Sequence, residues 1–138
     1  AAAVGLLEAL AASGTTAPLA QAHEQGAWGL AADPARALAL YLDGAAADGD
    51  ACAGALRLLQ ARDDVHPGWG RLVPVLRQRA GRGEGLAARE VGLMHEHGFA
   101  GPRDPQAAAA AYRRAGPDDP VARLRLFFLT REGAVQLR

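Results

Sequence analysis

A stretch of some three dozen residues recurs along this chain in one register, and that recurrence constrains the fold more than any single motif. Val91–Gly116 and Leu56–Gly81 align without a gap, ending in Tyr-Arg-Arg-Ala-Gly and Arg-Gln-Arg-Ala-Gly. Leu19–Ala46 joins them when one extra loop residue is allowed, and Leu126–Gly133 opens another copy. Equivalent positions Leu19, Leu56, Val91 and Leu126 lie 37, 35 and 35 residues apart. That period suits a helix-turn-helix unit, which cannot bury its apolar face alone and does so by stacking on its neighbours.

Within each copy the local chemistry predicts a helix A, a short loop and a helix B. Gly26, Gly98 and Gly133 fall seven residues after the apolar anchor of helix A, where a left-handed cap ends a helix at little cost. Asp33-Pro34 and Asp104-Pro105 then announce helix B. The carboxylate caps orphan backbone N–H groups, and proline is welcome at the first helical position. Asp119-Pro120 repeats that signal for the last A-type helix. Ala and Leu, 34 and 19 of the 138 residues, favour helix, and only seven Val and three Thr with no Ile argue against a sheet. Small alanines let helices approach, and Tyr41 and Tyr112 fill the remaining volume. The middle copy is degraded. It has Asp63 in place of the glycine, Trp69 in place of the capping aspartate, Arg77 in place of the tyrosine, and Pro74 near the start of its helix B. An irregular second loop is expected there.

The prediction is therefore an all-α chain of about three and a half units. It is one repeat domain over 1–138, with a partial leading helix (1–14), units over about 15–50, 51–84 and 85–119, and a partial last unit (120–138). The register L-G-x-x-Y-E-x-G-x-G-V-x-x-D-x-x-K-A-x-x-W-Y-x-x-A-A resembles the Sel-one-like repeat, a relative of the tetratricopeptide repeat. Gly92, Glu96, Gly98, Pro102, Asp104, Ala108, Tyr112 and Ala115 carry the resemblance in one copy. Leu19, Glu24, Gly26, Asp33, Ala37, Tyr41 and Ala45 carry it in another. His23 and His95 stand where the family has tyrosine. The resemblance implies a right-handed α/α superhelix and a role as an interaction scaffold, often in bacterial envelope, signalling or secretion machinery. The Lys-free, Ala- and Arg-rich usage suggests a bacterial source, with cytoplasm and periplasm both open.

Composition narrows the chemistry. Without Lys there is no Schiff-base or Walker lysine, and without Asn no Cys-His-Asn triad. The single serine, Ser13, sits in no nucleophile elbow. Fifteen arginines balance fifteen acidic residues, and a net charge of zero argues against a dedicated nucleic-acid binder. One cysteine cannot form an internal disulfide, no apolar run is long enough to span a bilayer, and no secretory leader is recognisable.

Each tempting site has a plainer explanation. His95 and His97 flank Glu96, yet helical side chains two apart point about 200° from each other, so they do not readily chelate one ion. No metal and no cofactor are expected. Cys52 aligns with Ala87 and Ala122 and reads as a small buried residue. Asp63-Asp64 and Asp118-Asp119 read as caps, and Asp48 and Asp50 as part of an inter-unit turn. The arginines 71, 77, 79, 82, 113, 114, 123, 125 and 131 are mostly solvated faces. A partner-facing basic strip among them would suit carboxylates of a peptide or an acidic polysaccharide.

These considerations point to a non-catalytic scaffold or adaptor that binds a peptide or protein along its helix-A face. With the anchor positions and those four residues later assigned to the core, Gln21, Glu24, Gln25, Arg62, Arg89, Glu90, Glu96, His97, Arg125 and Arg131 are expected to face the partner. Trp28 and Phe99 in the A-to-B loops either tuck beneath the hairpin or serve as aromatic anchors. Two rivals stand beside this. One is a metal- or thiol-dependent hydrolase-like enzyme built on His95, His97 or Cys52. Some cysteine-rich relatives implied by the resemblance are associated with hydrolysis of β-lactams, but they carry paired cysteines absent here. The other is a spacer or dimerisation arm of a larger protein.

Overall fold

The computed structural model describes residues 2–62, 64, 66–98, 101–131 and 133. Among them are eight helices and no strand: α1 (Ala2–Ala12), α2 (Ala17–Gln25), α3 (Pro34–Gly44), α4 (Gly49–Gln60), α5 (Gly68–Gly81), α6 (Gly85–His97), α7 (Pro105–Ala115) and α8 (Pro120–Arg131). Helices α2, α4, α6 and α8 are the A helices, and α3, α5 and α7 the B helices.

The punctuation works as its chemistry dictates. Gly26 and Gly98 end α2 and α6 in the left-handed region, with φ of 68° and 73°. From each the chain returns along the helix it has just left: Asp33 N–H donates to the His23 carbonyl at 2.7 Å, and Asp104 N–H to the His95 carbonyl at 2.8 Å. The carboxylates of Asp33 and Asp104 accept from Arg36 N–H and Ala107 N–H, each at 3.1 Å, with proline next in line. The degraded loop finds another solution. His66 Nδ1 accepts from Gly68 N–H at 2.9 Å, so an imidazole replaces the missing cap, while Trp69 turns inward and is buried. Because α5 begins at Gly68, Pro74 lies in its second turn and not at its start, a correction to the expected position. Asp64 pairs with Arg62 instead of capping. Asp63 lies outside the described residues.

The chain divides into two compact units, residues 1–75 and 76–138, with the boundary inside α5. In the first, α2 packs on α1, α3 and α4, and α3 packs on α4. Its core is small-residue rich, with Ala20, Ala37, Ala51 and Ala55 fully buried beside Leu19, Leu38 and Leu59. In the second, α6, α7 and α8 pack on one another around Ala108, Ala109, Tyr112, Ala122 and Leu129. The anchors Leu19, Leu56 and Val91 are buried, but the residues four positions on are not. The positions three on, Ala22, Leu59, Met94 and Leu129, complete the core. The buried stripe of helix A is thus rotated by one residue, about 100°, from the expected one.

Tyr41 and Tyr112 fill the gaps they were expected to fill. Each ring lies against a glycine of an A helix, so close that a Cβ on Gly54 would come within 2.5 Å of Tyr41 and one on Gly92 within 2.5 Å of Tyr112. No side chain larger than hydrogen fits at either place without displacing a buried aromatic.

Candidate functional site

The rotation of helix A carries a glutamate into each unit's interior, and each tyrosine hydroxyl meets one. Tyr41 Oη donates to Glu24 Oε1 at 3.0 Å, and Tyr112 Oη to Glu96 Oε1 at 2.5 Å. An arginine from the following A helix closes both triads. Arg57 forks onto Glu24 with bonds of 2.6 and 2.8 Å, and Arg125 holds both carboxylate oxygens of Glu96. Each glutamate thereby ties three helices together, α2, α3 and α4 in one unit and α6, α7 and α8 in the other. Such charge-assisted, forked bonds are the strong members of their class.

Their electrostatics follow from that geometry. The Arg57 guanidinium, helped by the Tyr41 hydroxyl, holds the Glu24 carboxyl below its usual range against the opposing effect of burial. Burial pushes Glu96 upward, but its bonds from Arg125 and Tyr112 outweigh it and the net direction is down. Tyr41 is pushed up to about 12 by burial first, by its hydrogen bond to Glu24 second and by that glutamate's negative charge third. Tyr112 moves the same way, further, for the same reasons. Arg125 also lies over the Phe128 ring, 5.7 Å from its centre.

In the first unit the A-helix face is open. A cleft of about 770 Å³ lies between α2 and α4. Gln21 and Ala17 come from one wall, Ala53, Gly54 and Arg57 from the other, and Tyr41 from the floor side. The Ser13–Thr15 turn and the Ala47–Asp50 segment, which enters α4, close one end. Asp48 caps α4 by accepting from Asp50 N–H at 2.9 Å. A second hollow of about 460 Å³ in the same unit, lined by Leu38, Leu42, Leu58, His66, Arg62 and Arg71 among others, lies toward α3 and the start of α5.

The structure is similar to the crystal structure of a protective antigen present in uropathogenic Escherichia coli strains and displaying an SLR fold. The TM-score is 0.72 and the sequence identity 24%, and the match covers 95% of this chain and 29% of that one. The chain has the Sel-one-like repeat (SLR) fold. No family model and no curated protein matches the sequence. This chain spans less than a third of the length of that SLR-fold antigen.

Against the SLR frame the expected partner-facing residues separate into groups. Gln21 and Gln25 are exposed on α2, and Gln21 lines the cleft. Glu96 and Glu90 are corrected: they are only 4% and 7% exposed, because the core stripe runs through the position three after the anchor and draws their side of α6 inward. Glu24 and Arg125 are spent on the triads. Arg89 is half-buried, with Nη1 3.6 Å from Asp119 and Nη2 3.7 Å from Glu90. Arg62 is tied to Asp64, while His97 and Arg131 are exposed. Trp28 does not tuck beneath its hairpin. It is 63% exposed, with a left-handed φ of 59° that a non-glycine residue rarely adopts. Phe99 lies outside the described residues.

Several arginines of the supposed basic strip are consumed locally, Arg71 by Asp43 and Arg79 by Glu84. Cys52 is buried and reduced, and His95 is half-buried. Among the described residues no three His, Cys, Asp or Glu side chains converge to hold a metal ion, and no helix is long and apolar enough to cross a membrane. Arg57 escaped the sequence reading, which placed Asp48 and Asp50 in an inter-unit turn and not at a cleft. For Arg57 the signal was present: a glutamate recurring two residues before the capping glycine, beside a recurring tyrosine, needs a cation once it is buried.

Proposed function

We propose that the chain is a non-catalytic interaction module whose α2–α4 cleft receives an extended peptide segment of a protein partner. The cleft itself carries this proposal. It is open, runs along the A-helix face, has small side chains on its α4 wall and offers Gln21 and turn backbone as hydrogen-bonding groups. An extended chain matches such a site because its main chain can use those polar groups while alternate side chains enter the hollow. The exposed aromatic Trp28, in the loop after α2 and outside the cleft lining, adds a separate surface on which a partner side chain can stack.

The test is selection of a random peptide library against the purified chain, followed by hydrogen-exchange mapping of the binders. Protection of α2 and the Ala47–Arg57 region is the expected outcome. Binders that instead protect exposed faces of α3 or α7 would overturn the assignment. A second role, as a spacer or dimerisation segment, has its own observation. Val121, Leu124, Phe127 and Phe128 of α8 are exposed apolar side chains, with Phe127 at 54%. Molecular mass in solution across a range of concentrations decides that question.

A further inference from the structure

The two units carry the same A-helix pair twice, and the difference between them indicates what the open cleft lacks. Counting back from the left-handed caps Gly26 and Gly98, Ala17 of α2 stands where Arg89 stands in α6. Counting forward from the caps Asp48 and Asp119, which shifts the pairing of α4 with α8 by one residue from the Leu56–Leu126 register, Gly54 of α4 stands where Arg125 stands in α8. The second unit therefore projects two guanidinium groups between its A helices. One goes to Glu96, and the other lies against Asp119 Oδ2 at 3.6 Å. In the first unit both positions hold small residues, and both residues line the cleft.

One of the two missing cations is replaced from within. Arg57, a turn further along α4 than Gly54, forks onto Glu24 and neutralises it. The other is not. Asp48 is the counterpart of Asp119, and Asp50 lies beside it in the first turn of α4. Among the described residues neither carboxylate has a cationic partner. The N-terminus of α4 offsets roughly half a unit charge there, which leaves the end of the cleft anionic.

From this comparison we infer that the cleft reads a basic side chain of the bound peptide, whose guanidinium or ammonium group occupies, against Asp48 and Asp50, the place Arg89 takes against Asp119. The inference rests on the peptide-binding role proposed above and adds the chemical class of its ligand. The stem of an arginine or lysine runs over apolar carbon at Ala17, Ala47 and Ala53, while its head reaches the two carboxylates. Arginine is favoured over lysine because its planar fork matches a carboxylate, as it does at Arg57, Arg62 and Arg125 of this protein. The same charge disfavours nucleic acid in this cleft.

The experiment is the peptide selection repeated on three proteins: the natural chain, D48N/D50N and A17R. Asparagine keeps the capping oxygen of Asp48, so the double variant retains its helix start while losing both charges. Circular dichroism and thermal melting establish that both variants are folded. Peptides enriched on the natural chain are expected to share one arginine or lysine at a fixed position. A synthetic consensus peptide should bind D48N/D50N about tenfold more weakly. Changing its basic residue to Gln should cost about the same on the natural chain and little on the double variant. A17R, which restores the missing guanidinium internally, should lose the peptide as well.

A consensus without a basic residue, whose binding A17R still abolishes, would overturn the charge assignment and leave the cleft as a peptide site. Peptides indifferent to A17R, or no enrichment at all, would overturn both.

Discussion

Replacing Tyr112 by Phe removes one hydroxyl and leaves the packing of the ring intact. That hydroxyl donates at 2.5 Å to Glu96, the tyrosine is 2% exposed, and the glutamate is buried with it. The carboxylate is not orphaned by the change, since Arg125 still reaches both its oxygens. The cost is therefore that of one bond to a charged group, about 2 kcal/mol, without the larger penalty of an unpaired buried charge. Tyr41→Phe is the internal control. Its bond is longer, 3.0 Å, and the Glu24 side chain is 21% exposed, so water can replace the lost donor. About 1 kcal/mol is expected there. With an unfolding entropy of about 2.1 cal/mol/K per residue, the two losses correspond to falls in Tm of about 7 °C and about 3.5 °C. Thermal unfolding followed by circular dichroism, with urea unfolding as a second measure, reads both. If the two variants shift equally, or Tyr112→Phe costs less than about 0.5 kcal/mol, then burial does not set the strength of these triads and the reasoning fails.

Gly92→Ala and Gly54→Ala should each lose about 2 kcal/mol despite the better helix propensity of alanine, because the new Cβ meets a buried tyrosine ring at 2.5 Å. Gly5→Ala in α1, with nothing within 4 Å, should gain about 0.5 kcal/mol in the same unfolding assay. Asp33→Ala and Asp104→Ala should each cost about 1 kcal/mol, while the asparagine variants stay near the natural stability. Because Glu24 and Glu96 titrate below their ordinary range in the folded chain, the stability they contribute is complete above the usual glutamate pKa. It disappears as the pH falls through the lowered value, so urea midpoints should drop on acidification, and Glu24→Gln/Glu96→Gln should flatten that drop. At the alkaline end the sign reverses. Tyr41 is raised to about 12, so its contribution is intact below pH 10 and is lost as the pH rises toward that value, read by tyrosinate absorbance together with unfolding.

What could be read from the sequence was local. Gly26, Gly98, Asp33 and Asp104 act on backbone groups a few residues away, so their roles follow from residue type and spacing alone. Tyr41 and Tyr112 were legible for a related reason: one large ring among many alanines must be the filler. The A-helix face was not legible to the same depth. Helical periodicity permits a core stripe through the third or the fourth residue after an anchor, and which is used depends on the crossing of neighbouring helices. Choosing the fourth placed Glu90 and Glu96 outside. Arg57 was missed because its partner lies 33 residues away, and no local rule connects them. The second loop defeated the register because a histidine did the work of an aspartate there.

Zero net charge in this chain conceals an uneven distribution. Most of the pairing is internal: Arg57, Arg62, Arg71, Arg79, Arg89 and Arg125 each lie against a carboxylate of their own unit. The triads make repeat stacking depend on these pairs, because each glutamate joins the two helices of a hairpin to the first helix of the next. A unit of this kind can lose an arginine without losing its fold only if the glutamate is neutralised from another turn, which Arg57 does for Glu24. Among the described residues no such rescue reaches Asp48, whose counterpart in the other unit has Arg89. The small residues at 17 and 54 therefore have two linked effects: they open a hollow between the A helices, and they leave charge at its end that stacking does not use. A substitution that merely relaxed packing would be expected to leave an apolar gap. A gap whose end carries carboxylates with no cationic partner among the described residues is what the proposed peptide-binding role requires.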